Sequence, residues 1–239
     1  MKLSQMFYLA NWFFGARVLG RKRPLQTVLF ISDKCNLKCK HCSVYAKADP
    51  HIMTYEEIRG ELEYAYRLGS RFVDFEGGEV MIWRDGDYRI DDVIDLAREV
   101  GFFSATITTN AQLPFRGSHA DSIWVSLDGY GKYREMIRGE GTFARLEKNI
   151  AECGHPHLSV NMVVNKYNWE SVAETIKYVK NNLAIESISI NFYTPFPDAE
   201  NLMITREQRE EVIDTVIRMK REGLSLIHIS EPTRLDVIS

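Results

Sequence analysis

The chain has no unbroken apolar run of about 18 residues or more, which argues against a helix crossing a bilayer. It has little excess charge: 30 Lys and Arg against 33 Asp and Glu leave −3 over 239 residues. That excludes a global basic field of the kind that draws a protein onto nucleic acid, so no nucleic-acid partner is expected. Cysteine is scarce. There are four, and three of them crowd between positions 35 and 42. A disulfide framework spreads its cysteines through the fold, so this crowding points to a metal site in a reducing, cytoplasmic compartment. Beyond that cluster only Cys153 remains, read as an apolar filler at a helix end. No low-complexity linker or internal repeat divides the chain. Its length suits one sizeable core with small extensions.

What is present alternates. Residues 26–32 (QTVLFIS), 71–76, 104–108, 122–127, 158–164 and 187–193 are short, apolar and rich in β-formers. Between and after them, 54–68, 90–100, 143–153, 169–182 and 205–222 carry helical periodicity, the first opened by Thr54 with Glu56 and Glu57 behind it. Strand followed by helix, repeated six times, predicts parallel strands joined by right-handed crossovers. Six units fall short of a closed eight-fold barrel. The expected fold class is therefore α/β, an open partial (β/α)6 barrel, with ligands over the C-terminal strand ends.

The two ends differ from this core, set at 25–223. In residues 1–24, Leu3, Met6, Phe7, Ala10, Phe13 and Phe14 recur at helical spacing, and Arg17, Arg21, Lys22 and Arg23 follow. The favoured reading is a helix capping the domain with its apolar face inward. The sharper reading is an interfacial helix in peripheral contact with an anionic membrane. A signal peptide fits poorly, because the positive charge follows the apolar stretch. Residues 224–239 include LIHISEPTR, which reads as translated sequencing-adapter sequence rather than native protein. That tail is set aside, and the native C-terminus is expected to differ.

The chemistry centres on Cys35, Cys39 and Cys42, spaced C-x3-C-x2-C directly after the first strand. Three thiolates in one short loop can ligate three irons of a 4Fe–4S cubane and leave the fourth open to a chelating ligand. The alternative is a non-enzymatic zinc or iron–sulfur module. Structural zinc wants four closed ligands, and His41 sits too close between two cysteines to complete a tetrahedron. Gly77, Gly78 and Glu79 follow the second strand: glycines allow close backbone approach, and a carboxylate accepts from an ammonium group. The competing reading is an ordinary strand-to-helix turn.

Cys35–Cys42 after the first strand of a six-fold β/α pattern resembles the radical S-adenosylmethionine (SAM) superfamily. The resemblance spans about residues 26–222. It implies a 4Fe–4S cluster and SAM as cofactors. It also implies an enzyme that cleaves SAM reductively to a 5′-deoxyadenosyl radical, which takes hydrogen from a substrate. His41, just before the third cysteine, stands where the family keeps an aromatic residue near adenine. Gly77, Gly78 and Glu79 are similar to the family motif that holds the SAM amino group, with Val80 in place of its proline. The run from Ser126, Leu127, Asp128 and Gly129 through Arg138 and Gly139 resembles the branch of molybdenum-cofactor, sulfatase-maturing and peptide-modifying enzymes. There the serine and arginine lie near the SAM carboxylate and ribose. Asn110, Asn165 and Tyr193, with Pro195 and Phe196 beside it, resemble residues lining that site. Each has a plain alternative: a strand-end hydroxyl for Ser126, a surface ion pair for Arg138, turn caps for the asparagines and core packing for Tyr193. Tyr45 and Lys47 are candidate substrate contacts, while His155 and His157 are loop residues. The substrate, whether small molecule, peptide or lipid, is unassigned. A flavodoxin or ferredoxin is the expected kind of electron donor.

Overall fold

Short β-rich runs alternating with amphipathic segments produce the parallel α/β architecture the periodicity predicts. A computed structural model describes residues 2–42, 44, 49–195, 201–222 and 227–230, the last four by backbone alone. Tyr45, Lys47 and Phe196 lie outside the described residues. The chain divides into two compact units.

The first unit comprises Met1–Lys34, Ala48–Thr108 and Ser118–Ser122. It holds α1 (Leu3–Arg17), β1 (Gln26–Ser32), α2 (Tyr55–Leu68), β2 (Phe72–Gly77), α3 (Ile90–Val100) and most of β3 (Ser104–Thr109). β2 pairs in parallel with β1 and β3, aligning Val28 with Asp74 and Asp74 with Thr106. Alternate residues split by face. Ile31, Val73, Phe75, Ala105 and Ile107 are fully buried, forming one core with Ile58 and Leu62 of α2 and Val93, Ile94 and Leu96 of α3. The opposite face carries Val28, Phe30, Asp74 and Glu76, with Val28 and Phe30 about half exposed. α2 starts as its sequence directs: Thr54 accepts from the Glu57 amide while Glu57 reaches back to the Thr54 amide.

At the end of β2 the two glycines are required by the neighbouring backbone. Gly77 sits at φ +143°, and a Cβ there would lie 2.2 Å from the Ser32 carbonyl oxygen. A Cβ on Gly78 would lie 1.9 Å from the Lys34 carbonyl oxygen. The amides of Gly78 and Glu79 donate to the Ser32 and Lys34 carbonyls at 2.6 and 2.9 Å. These glycines therefore press the turn onto the chain that leads into Cys35. The close approach foreseen for a ligand is made to the protein's own backbone. A Gly78→Ala variant should lose about 1–3 kcal/mol of stability, the usual cost of forced overpacking. It should also retain less iron, read from denaturant midpoints and iron content; an unchanged midpoint would show that the two turns separate freely.

The second unit comprises Cys35–Lys47, Thr109–Gly117 and Ile123–Ser239. It holds most of β4 (Ser122–Ser126), α4 (Lys132–Arg138), α5 (Thr142–Cys153), β5 (Leu158–Val164), α6 (Val172–Asn181), β6 (Ser187–Phe192), α7 (Arg206–Arg221) and β7 (Ile227–Ser230). β4, β5, β6 and β7 pair in parallel in chain order. Three features depart from the sequence reading. α4 was not expected. The helix foreseen at 169–182 begins as a 3-10 turn, Trp169–Ser171, before α6. β7 forms within the stretch set aside as a tail.

α1 turns its apolar stripe the other way from the favoured reading. Tyr8, Trp12 and Gly15 face the protein: the Tyr8 hydroxyl donates to the Gly69 carbonyl at 2.5 Å, and its ring meets Phe103 edge-on. Leu3, Met6, Phe7, Phe13 and Phe14 are exposed.

Candidate functional site

The segment after β1 lacks apolar periodicity and does not continue a strand. It is instead tied down by single contacts within the second unit. The Lys40 amide donates to the Ile137 carbonyl in the last turn of α4 at 3.1 Å, and the Cys42 amide donates to the Cys39 carbonyl at 3.1 Å. The Lys40 ammonium lies 4.3 Å from the centre of the Tyr167 ring. None of the four cysteines is in a disulfide; Cys39 and Cys153 are buried and Cys35 and Cys42 partly so.

Two buried hydrogen-bond systems reach the sulfurs. Asn110, following β3, donates from Nδ2 to Cys35 Sγ at 3.7 Å and to Asn36 Oδ1 at 2.7 Å. Arg138 donates from Nη1 to Cys39 Sγ at 3.6 Å. Arg138 is itself aimed by Asp128, whose Oδ2 takes its Nε and Nη2, each at 2.6 Å. Asp128 is almost wholly buried at φ +55°, its other oxygen accepting the Val163 amide at 2.7 Å. His41 Nε2 lies 3.3 Å from Asp128 Oδ2, and His41 Nδ1 is buried with no partner among the described residues.

The electrostatics follow from this packing. Burial alone pushes the Asp128 carboxyl up, but Arg138, His41 and the Val163 amide together carry it below its ordinary value. Burial lowers Arg138, and Asp128 and Cys39 more than reverse this. Burial lowers the His41 imidazole despite the pull of Asp128. Burial raises the Cys39 thiol, opposed by Arg138 and reinforced by Asp128 and by Cys42 and Cys35.

Arg134 is a buried residue beside the site that sequence reading missed. It is fully buried, and it donates to the Ser126, Leu127 and Asn110 carbonyls, the last two at 3.1 and 2.8 Å. Burial and the charge on Arg138 push it down to about 9, still cationic at neutral pH. Arg134 and Arg138 stand four residues apart on one helical face. Like charges so spaced repel on an isolated helix. That pairing is the signal in the sequence that each arginine has its own acceptors, carbonyls for Arg134 and Asp128 for Arg138.

A sequence model of the radical SAM superfamily matches residues 29–179. The chain belongs to that superfamily. Radical SAM relatives include GTP 3′,8-cyclase of Clostridium botulinum, 26% identical over 208 residues, covering 77% of this chain and 61% of that one. They also include PqqA peptide cyclase of Xanthomonas oryzae, 28% identical over 218 residues, covering 83% of this chain and 56% of that one. Streptococcus suis SuiB bound to S-adenosylmethionine shares the fold at TM-score 0.70 and 21% identity, over 87% of this chain and 50% of SuiB. The chain thus spans about three fifths of the length of the cyclase it matches.

The superfamily's cofactors are a 4Fe–4S cluster and SAM. The donor set fits the cluster: three thiols on one loop, none in a disulfide, with Cys42 and Cys35 near enough to help raise Cys39. Buried around them are two guanidiniums and one carboxylate, an excess of positive charge suited to an anionic tri-thiolate centre. Among the described residues no three His, Cys, Asp or Glu side chains converge on one point. Cys35 and Cys39 are turned instead onto Asn110 and Arg138, so ligation entails rotating these side chains and releasing their protons.

The other candidate residues fall as follows. Glu79 is buried and accepts the Met81 amide at 3.1 Å. Ser126 is half-buried at the end of β4. Asn165 is buried in the turn after β5, its side chain bonded to the Val163 carbonyl and the Tyr167 amide, as its turn-cap alternative foresaw. Tyr193 is buried after β6. Cys153 is a buried helix-end residue, and His157 pairs with Glu186 at the surface.

Proposed function

We propose that this chain is an enzyme in which Cys35, Cys39 and Cys42 hold a 4Fe–4S cluster. The observation that carries the reading is the cysteine loop resting on a buried, charge-assisted Asp128–Arg138 pair inside the span matched by the family. When bound, the cluster supplies the electron that splits SAM into methionine and a 5′-deoxyadenosyl radical. The radical abstracts hydrogen from the substrate, and a flavodoxin or ferredoxin is the proposed donor. Glu79 accepts the SAM ammonium group. Arg138, with its planar fork already oriented, suits the SAM carboxylate. Ser126 and Asn110 supply hydroxyl and amide partners to ribose, and His41 lies beside adenine. The proposed chain organisation keeps residues 1–24 as an extension, 25–223 as the catalytic core and 224–239 as a non-native tail.

A peptide is the proposed substrate. The likeness to PqqA peptide cyclase supports this, as does the acidic and apolar face of β1 and β2 in the first unit, with Val28, Phe30, Asp74 and Glu76. Carboxylates there are poor company for a nucleoside triphosphate, the substrate class named for the GTP 3′,8-cyclase. The test is anaerobic reconstitution with iron and sulfide, followed by dithionite and SAM. The expected result is a brown protein that forms 5′-deoxyadenosine and methionine. A protein that takes up zinc without sulfide, and leaves SAM intact, would make it a binding module instead.

A further inference from the structure

We infer that α1 and the basic segment after it form a docking surface for an anionic lipid bilayer. The helix has two faces with unequal roles. One is fixed to the first unit: Tyr8 bonds the Gly69 carbonyl and meets Phe103, Arg71 stacks on the Tyr8 ring at 4.6 Å, and Gly15 is buried. The other presents Leu3, Met6, Phe7, Phe13 and Phe14 to solvent, with Phe7 68% and Phe14 52% exposed. These five span a continuous outer stripe at helical spacing, and Val18 and Leu19 extend it, also exposed. An apolar stripe pointing away from the core is the reverse of an ordinary surface helix.

Charge identifies the occupant. The first 32 residues contain Lys2, Arg17, Arg21, Lys22 and Arg23 and no Asp or Glu. With −3 on the whole chain and +5 here, the rest carries −8. The basic segment is held against the helix: the Arg21 amide donates to the Gly15 carbonyl at 2.9 Å, and Trp12 Nε1 donates to the Arg23 carbonyl at 3.0 Å. An exposed aromatic and aliphatic stripe, with Lys2 and Arg17 at the ends of its helix and three further cations in the segment packed on the Trp12 and Gly15 side, matches the interface of a bilayer, where apolar groups enter the acyl boundary and cations meet lipid phosphates. At 15 residues α1 is too short to span, and among the described residues no helix is long and apolar enough to cross a membrane.

The experiment is flotation of the full chain with phosphatidylcholine vesicles, with and without phosphatidylglycerol. Binding should require the anionic lipid and weaken with added salt. Each of Arg17→Gln and Lys22→Gln should lower partitioning about fivefold, the usual contribution of one interfacial cation. Phe7→Glu with Phe14→Glu should abolish it; both side chains are exposed, so the fold, followed by circular dichroism, should persist. Equal flotation of parent and variants, or none for the parent, would overturn the inference. So would a dimer of the parent in light scattering that Phe7→Glu with Phe14→Glu dissolves, because the stripe would then cover a second copy. SAM cleavage in solution is read separately, so a failure here leaves the proposed chemistry standing, and the reverse also holds.

Discussion

A Cys39→Ala variant, reconstituted anaerobically, should hold neither a stable cluster nor measurable SAM-cleaving activity. Cys39 is the middle cysteine of the loop and its most buried sulfur, facing Arg138. Losing one of three thiolates leaves an iron without a protein ligand and the positive surroundings without their anion. The loss should exceed the about 10–100-fold typical of removing an outer hydrogen bond. Asn110→Ala provides that smaller reference, since Asn110 supports Cys35 by hydrogen bonds to its sulfur and to the adjacent Asn36. Cys153→Ala is the control: its thiol is buried at the end of α5 and should leave iron and sulfide content unchanged. Iron and sulfide stoichiometry, with 5′-deoxyadenosine yield, measures all three. A Cys39→Ala protein with full iron and sulfide would remove the basis of the proposed function.

The alternation of β1 through α7 was readable because each segment buries one face or one stripe, and burial writes its period into the sequence. The α3 limits, for instance, emerge as expected, Ile90–Val100, because Ile90, Val93, Ile94 and Ala97 are all core. α4 was not readable. It has seven residues, of which only Arg134 and Ile137 are buried, so no apolar period announces it. That the three cysteines share one loop after β1 was legible from spacing alone. Their supports were not. Asp128 and Arg138 stood out as members of a motif, but that one orients the other beneath Cys39 depends on a tertiary contact. Gly77 and Gly78 were flagged for freedom of backbone, while the group they accommodate, the β1-to-loop carbonyls, is set by strand pairing. The α1 stripe was legible as a period and misleading as to direction, because periodicity gives a face and not what lies against it.

Asp128→Asn should be the most destabilising conservative change in the chain, by about 3–5 kcal/mol, the cost of leaving one partner of a buried ion pair uncompensated. Asparagine keeps the shape, tolerates the positive φ, and can still accept the Val163 amide, but its NH2 then replaces the oxygen that took Arg138, so both the charge and that acceptor are lost. What remains is Arg134, fully buried, and Arg138, largely so, with their counter-charge removed. Chemical denaturation should show a lower midpoint at unchanged slope; a midpoint within about 0.5 kcal/mol of the parent would show the pair contributes nothing. A second variant separates stability from function. Buried ion pairs can often be replaced by apolar side chains of similar volume with no net loss. Asp128→Asn with Arg138→Met removes both charges while keeping a residue that tolerates the positive φ and accepts the Val163 amide, and should therefore recover most of the stability. It should not recover cluster retention, because no cation would then face Cys39. If the pair existed only to hold the fold, both properties would return together. Their separation would show that this buried charge is kept for the sulfur it orients.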